Sequence, residues 1–104
     1  MTADEIENLV RKDIRNRWST NNAHGVNLKN CLVHPQKLRF ADPSVSGGHI
    51  DLWLVLEENP VTKSGYQIVF DERTQLFGLA ITDVQNGPAF LGTYGSFMET
   101  LEAM

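Results

Sequence analysis

Between residues 49 and 83 the chain alternates side chains with a period of two, and no other feature restricts its fold as tightly. Ile50, Leu52, Leu54 and Leu56 alternate with His49, Asp51, Trp53, Val55 and Glu57. Tyr66, Ile68 and Phe70 alternate with Gln67, Val69 and Asp71, and Phe77, Leu79 and Ile81 with Leu76, Gly78, Ala80 and Thr82. Successive side chains of a strand leave opposite faces, so this period marks strands rather than helices. Polar and turn-forming residues at 58–65 and 72–75 interrupt the pattern twice. The expected product is a three-stranded antiparallel meander.

A slip of one residue would turn a strand's whole apolar row to the other face, and this constrains register. Phe70 set opposite Phe77 places Ile68 against Leu79, Tyr66 against Ile81, and Val69 against Gly78. Leu54 then falls near Ile68 or Phe70. One face of the sheet becomes almost wholly apolar and needs a covering layer.

A layer of that kind precedes the sheet. Thr2-Ala3-Asp4-Glu5 has the form of a capping box, and Ile6, Leu9, Val10, Ile14 and Trp18 follow at helical spacing. Asp4, Glu5 and Glu7 come early and Arg11, Lys12, Arg15 and Arg17 late, an order that complements the helix dipole. The spacing predicts a helix over 3–18. A second capping box, Ser96-Phe97-Met98-Glu99, opens a short C-terminal helix with Phe97, Leu101 and Met104 on one stripe.

Residues 19–30 read as a polar loop with Asn21-Asn22 and His24-Gly25 as turn formers. Cys31-Leu32-Val33 and Lys37-Leu38-Arg39-Phe40 are β-like pieces parted by Pro35, which confines such a strand to an edge or a break. Residues 42–48 read as a second loop, and Gln85-Asn86-Gly87-Pro88 as a turn. The whole is one α+β domain over 1–104: an N-terminal helix, an antiparallel meander of three to four strands, and a short C-terminal helix.

A chain of 104 residues is single-domain by length, and 41% apolar with 21% charged residues is ordinary globular usage. Its apolar runs are far shorter than the ~20 residues a spanning helix requires, so no membrane partner is expected. The acidic start Met1-Thr2-Ala3-Asp4-Glu5 lacks the basic and apolar segments of a signal peptide. The single cysteine, Cys31, rules out an internal disulfide and fits a reducing, cytoplasmic setting. The net charge is −4, and residues 51–104 hold eight acids against only Lys63 and Arg73. Such a chain is not expected to bind nucleic acid, where phosphate neutralisation drives affinity. A basic protein partner suits it better.

Chemistry-bearing patterns are few. Cys31 and His34 with His49 and Asp51 offer four ligands of suitable type for zinc, yet not the two tight Cys or His pairs usual in structural sites. His34 lies three residues after Cys31, which on a strand sends the two side chains to opposite faces. No G-x-S-x-G elbow and no G-K-[ST] phosphate loop occur. No catalytic residue, cofactor or metal is therefore expected, and a non-enzymatic role is favoured. One allowed register sets Asp51 against Asp71, a pairing that would raise one carboxyl pKa but that like charges oppose.

The candidate binding face is the second face of the sheet. Trp53 lies there by alternation with Val55 and Val69, and Asp51, Asp71, Glu57 and Glu58 make its margins acidic. Either a helix covers this face or a partner does, since aromatic anchors serve both.

Gly65-Tyr66-Gln67-Ile68-Val69-Phe70-Asp71-Glu72, Phe77-Gly78-Leu79-Ala80 and Leu91-Gly92-Thr93-Tyr94-Gly95-Ser96-Phe97 together resemble small uncharacterised bacterial α+β proteins, some of them immunity-like partners of toxins. That resemblance covers roughly the C-terminal 60 residues and implies a protein-binding role without transferring any functional residue. The leading expectation is a protein-binding module, immunity-like, that uses the acidic Trp53 face against a basic partner or a second copy of itself. The alternative is a small-molecule or minor enzymatic pocket between sheet and helix, lined by Trp18, Trp53, Tyr66 and Tyr94 with His49 and Asp51 as polar groups.

Overall fold

A computed structural model describes residues 1–19, 25–44, 46–83 and 87–104. The expected turn formers Asn21, Asn22 and His24, Val45 of the second loop, and Gln85-Asn86 lie outside the described residues. The fold is α+β, in the order α1 (Ala3–Ile14), α2 (Leu28–Cys31), β1 (Leu32–Asp42), β2 (Gly48–Asn59), β3 (Ser64–Asp71), β4 (Leu76–Asp83), β5 (Gly87–Gly95) and α3 (Phe97–Ala103). The sheet therefore has five strands among the described residues, where the alternation alone suggested three or four.

The five strands run up and down as an antiparallel meander and close into a barrel. With an odd number of alternating strands, the first and last must point the same way. The closing pair is accordingly parallel, through Ala41 and Ala89. The β3–β4 register is the expected one, with Phe70 opposite Phe77, Ile68 opposite Leu79 and Tyr66 opposite Ile81.

The single apolar face expected of β2 does not form. A register shift between Leu54 and Leu56 leaves Val55 as an extra residue, so that Leu54 faces Val69 while Leu56 faces Ile68. A bulge of one residue reverses the sense of alternation beyond it. Leu52 and Leu54 join Phe40, Val69 and Ala80 inside the barrel. Val55 and Leu56 instead join Ile68, Phe70, Phe77 and Leu79 on the outer face, beneath Ile6, Val10 and Ile14 of α1 and Phe97, Met98 and Leu101 of α3. The last five residues of β3 are buried without a break, because one face meets the barrel interior and the other the helices.

The helix ends carry their own stops. In α1 the Thr2 Oγ1 accepts from the Glu5 amide at 3.2 Å and the Glu5 carboxylate accepts from the Thr2 amide at 3.1 Å, the expected capping box. The helix stops at Ile14 rather than Trp18, since Arg15 adopts φ +56°. Arg17 Nη2 donates to the freed Asp13 carbonyl at 3.0 Å. The Ser96–Glu99 box of α3 is also present, and the Met98 amide donates to Asp13 Oδ2 of α1 at 2.7 Å. Pro35 lies in the irregular stretch between Leu32 and Gln36 where β1 breaks its ladder with β2.

Candidate functional site: a groove between the first helix and the first strand

A concavity with a volume of about 510 Å³ lies where α1, α2 and the start of β1 meet. Its floor is apolar: Val10 of α1, Leu28 of α2, Leu32 of β1 and the bulged Val55 of β2. Trp18 forms a wall, brought there by the break of α1 at Arg15. The short α2 is held by its cap, with Asn27 Oδ1 accepting from the Lys29 amide at 3.0 Å, and it places Lys29 at the rim.

The rim is charged and partly ordered. Glu7 and Arg11, one turn apart on α1, pair at 3.4 Å through Oε1 and Nη2. The Arg11 guanidinium lies 5.5 Å from the centroid of the Trp18 ring, a cation–π distance. Across the groove, His34 Nδ1 of β1 lies 4.0 Å from the other Glu7 oxygen, Oε2. Lys29 has no ion pair among the described residues. The cavity thus offers an apolar floor and an aromatic wall under a rim of mixed charge, with a volume in the range usual for small-molecule sites.

The residues expected to form an acidic binding face are dispersed. Val55 and Val69 are 1% and 0% exposed and belong to different clusters, so neither reaches the surface. Trp53 lies opposite Phe70 and packs, half-buried, against the helix-covered cluster rather than beside Val69. Lys37 Nζ stands 5.7 Å from its ring centroid, and its buried Nε1 has no hydrogen-bond partner among the described residues. Asp51 is exposed beside Arg39 at 3.6 Å. Asp71 is buried and held by Arg73, whose amide, Nε and Nη2 all donate to its carboxylate. Asp51 and Asp71 therefore do not face one another. Glu57 is buried opposite Gln67 with Lys63 Nζ at 3.5 Å, while Glu58 Oε1 accepts from the Tyr66 amide at 3.0 Å. The bulge at Val55 is the physical reason for this dispersal.

The other expected groupings fare similarly. Cys31 and His34 sit near the Leu32–Leu56 end of the β1–β2 ladder, and His49 and Asp51 at the Ala41–His49 end, so these four do not converge. A pocket between helix and sheet does exist, but of its expected lining only Trp18 is present. Trp53, Tyr66, Tyr94, His49 and Asp51 lie elsewhere. Glu7, Arg11, Lys29 and His34 were not singled out for this site. The Glu7–Arg11 spacing was readable, whereas Lys29 and His34 arrive only through tertiary packing.

The fold and groove define a class: a small five-stranded meander barrel with a helix-covered outer face and a lateral pocket. No protein-family model, no curated protein and no solved structure matches the chain. No helix among the described residues is long and apolar enough to cross a membrane.

Proposed function

We propose that the protein is a small non-enzymatic binding module whose ligand seats in the groove between α1 and β1. The observation that carries this reading is the pairing of an apolar floor of Val10, Leu28, Leu32 and Val55 with the Trp18 wall in one cavity of about 510 Å³. Among the described residues, the groove lining holds no serine, threonine or cysteine, and its polar groups are Glu7, Arg11, Lys29 and His34. The ligand that fits is amphipathic: a planar or aliphatic body over the floor, and an anionic group reaching the Lys29 ammonium. The free, buried thiol of Cys31 suits a reducing, cytoplasmic setting.

A panel of aromatic and aliphatic carboxylates, followed by amide chemical shifts, tests it. Shifts concentrated at residues 7–11 and 28–35, abolished by Trp18→Ala and weakened by Lys29→Glu, are the expected result. Shifts clustered instead at a second, shallower concavity lined by Leu9 of α1 and Phe97 of α3, or no response at millimolar ligand, would sink it.

The acid excess over 51–104 supports a second reading, a basic protein partner of the immunity-like kind. Asp51 and Glu58 are the acidic parts of the expected face that solvent still reaches. Capture of a basic partner by the native chain that is lost in Asp51→Lys/Glu58→Lys, yet kept in Trp18→Ala, would favour it over the groove.

A further inference from the structure

We infer that Asp4, Glu7 and His34 form a binding site for a divalent transition-metal ion, of which zinc is the type. One ligand atom from each of the three side chains lies within 4.8 Å of the others. Asp4 and Glu7 are three residues apart on α1 and so share a face one turn above the other. His34 meets them from β1, across the mouth of the groove. The site is thus built from two elements, and the α1–β1 packing fixes its geometry.

The donor chemistry is coherent. Imidazole nitrogen with two carboxylates suits borderline ions such as zinc, cobalt and nickel, and three protein ligands leave a position open. Metal–ligand distances of about 2.0–2.2 Å place neighbouring donors about 3.3 Å apart, so donors now within 4.8 Å must close slightly. Side-chain rotation suffices for this, since Asp4 and His34 are exposed and Glu7 is half-exposed. The donors also have capacity to spare. Asp4 has no hydrogen-bond or ion-pair partner among the described residues, and only the far oxygen of Glu7 is occupied, by Arg11 at 3.4 Å. That contact orients the Glu7 carboxylate with Oε2 toward His34, as outer partners of metal ligands do.

A second observation points the same way. Glu7 and His34 also line the groove of about 510 Å³, so an ion held by them stands at the edge of an open concavity. An open coordination position there would complement an anionic ligand group. The metal site itself does not depend on the groove binding any small molecule, and its test uses the metal alone.

Zinc titration of the untagged full chain by calorimetry provides that test, with cobalt absorption in the visible as a second signal. Native protein is expected to bind one ion per chain. Loss of a direct ligand should exceed the effect of losing an outer partner, so His34→Ala should weaken binding more than about 100-fold. Asp4→Asn and Glu7→Gln should each weaken it at least about tenfold. The other two histidines provide controls, and His24→Ala and His49→Ala should bind as the native chain does. Circular dichroism verifies that each variant stays folded. Absence of binding at millimolar zinc, or native-like affinity in His34→Ala, overturns the assignment. Retained zinc binding with no response to carboxylates would fail the small-molecule reading and leave this one standing.

Discussion

Glu72 holds two cations at once. Its Oε1 accepts from Lys37 Nζ at 2.7 Å and its Oε2 from the Met1 amino group at 3.1 Å, which ties the β3–β4 turn to β1 and to the start of the chain. The Lys37 hydrogen bond, followed by that of the amino group, lowers the Glu72 pKa from 4.5 to about 2. A carboxylate depressed in this way contributes stability that is complete above 4.5 and lost as pH falls from 4.5 toward about 2. Lys37 is raised above 10.5 by the same bond, so the contact also fades in strong alkali, as pH rises through the raised value. In urea unfolding, Glu72→Gln should be less stable than native protein at neutral pH, and the gap should close as pH falls to about 2. A gap that stays constant over that window would show that Glu72 contributes nothing through its charge. Gly78 presents a steric case rather than an electrostatic one. A Cβ built there would overlap the Gly92 carbonyl of β5, so that β4 and β5 can approach as they do only without a side chain. Gly78→Ala should cost about 1–3 kcal/mol by denaturant midpoint, the range for overpacking a filled site.

At the scale of elements, α1 and α3 are joined by a cap that neither helix supplies alone. Ser96 Oγ accepts from the Glu99 amide at 3.2 Å, whereas the Met98 amide is satisfied by Asp13 Oδ2 of α1 at 2.7 Å. Ser96→Ala removes an ordinary cap and should cost about 1 kcal/mol. Asp13→Ala strands a partly buried N–H and should cost about 1–3 kcal/mol. In the Ser96→Ala/Asp13→Ala double mutant the losses should fall short of additive, because both act on the same first turn. Strict additivity in a double-mutant cycle would argue that the helices dock independently. Both capping boxes were legible because a box is local: its partners lie three residues apart. The β3–β4 register was legible for a related reason, since a short turn and two facing apolar rows admit one alignment. The early end of α1 was not legible. Arg15 takes a positive φ with no glycine or proline to announce it, and the reward is Trp18 placed as the groove wall. The bulge at Val55 was likewise silent. Alternation continues through it in the sequence, so Trp53 was assigned to the wrong side and the expected acidic face dissolved. The groove was beyond reach for the same reason: its far side, Lys29 and His34, comes from elements whose placement depends on long-range packing.

The molecule as a whole is a barrel closed by a stagger. β1 and β5 run parallel and meet at Ala41 and Ala89, near the end of one and the beginning of the other. Most of β1, residues 32–40, therefore extends past the start of β5, and α1 packs along that stretch to form the groove. Residues 91–95 of β5 extend the other way, past the end of β1. Register shifts there leave Leu91 and Tyr94 unpaired with β4, and both are 48% exposed. The two ends of the closing seam thus have fewer ladder partners among the described residues than the middle of the sheet. Amides of residues 67–71 in β3, buried on both faces, should exchange hydrogen only when the whole molecule unfolds. Amides of residues 91–95 should exchange through local opening at lower free energy, because among the described residues that stretch has no ladder partner in β1. Native-state exchange with increasing denaturant separates these cases. The β3 amides should follow the global unfolding free energy and its denaturant slope, while the β5 amides should open at shallower slope. If both sets followed one global isotherm, the seam would be as cohesive as the central strands, and the stagger would carry no dynamic consequence. A local opening confined to 91–95 would leave the α1–β1 groove intact, because the two lie at opposite ends of the seam. Ligand or metal bound at the groove should then slow exchange in α1 and β1 and leave the β5 end unchanged.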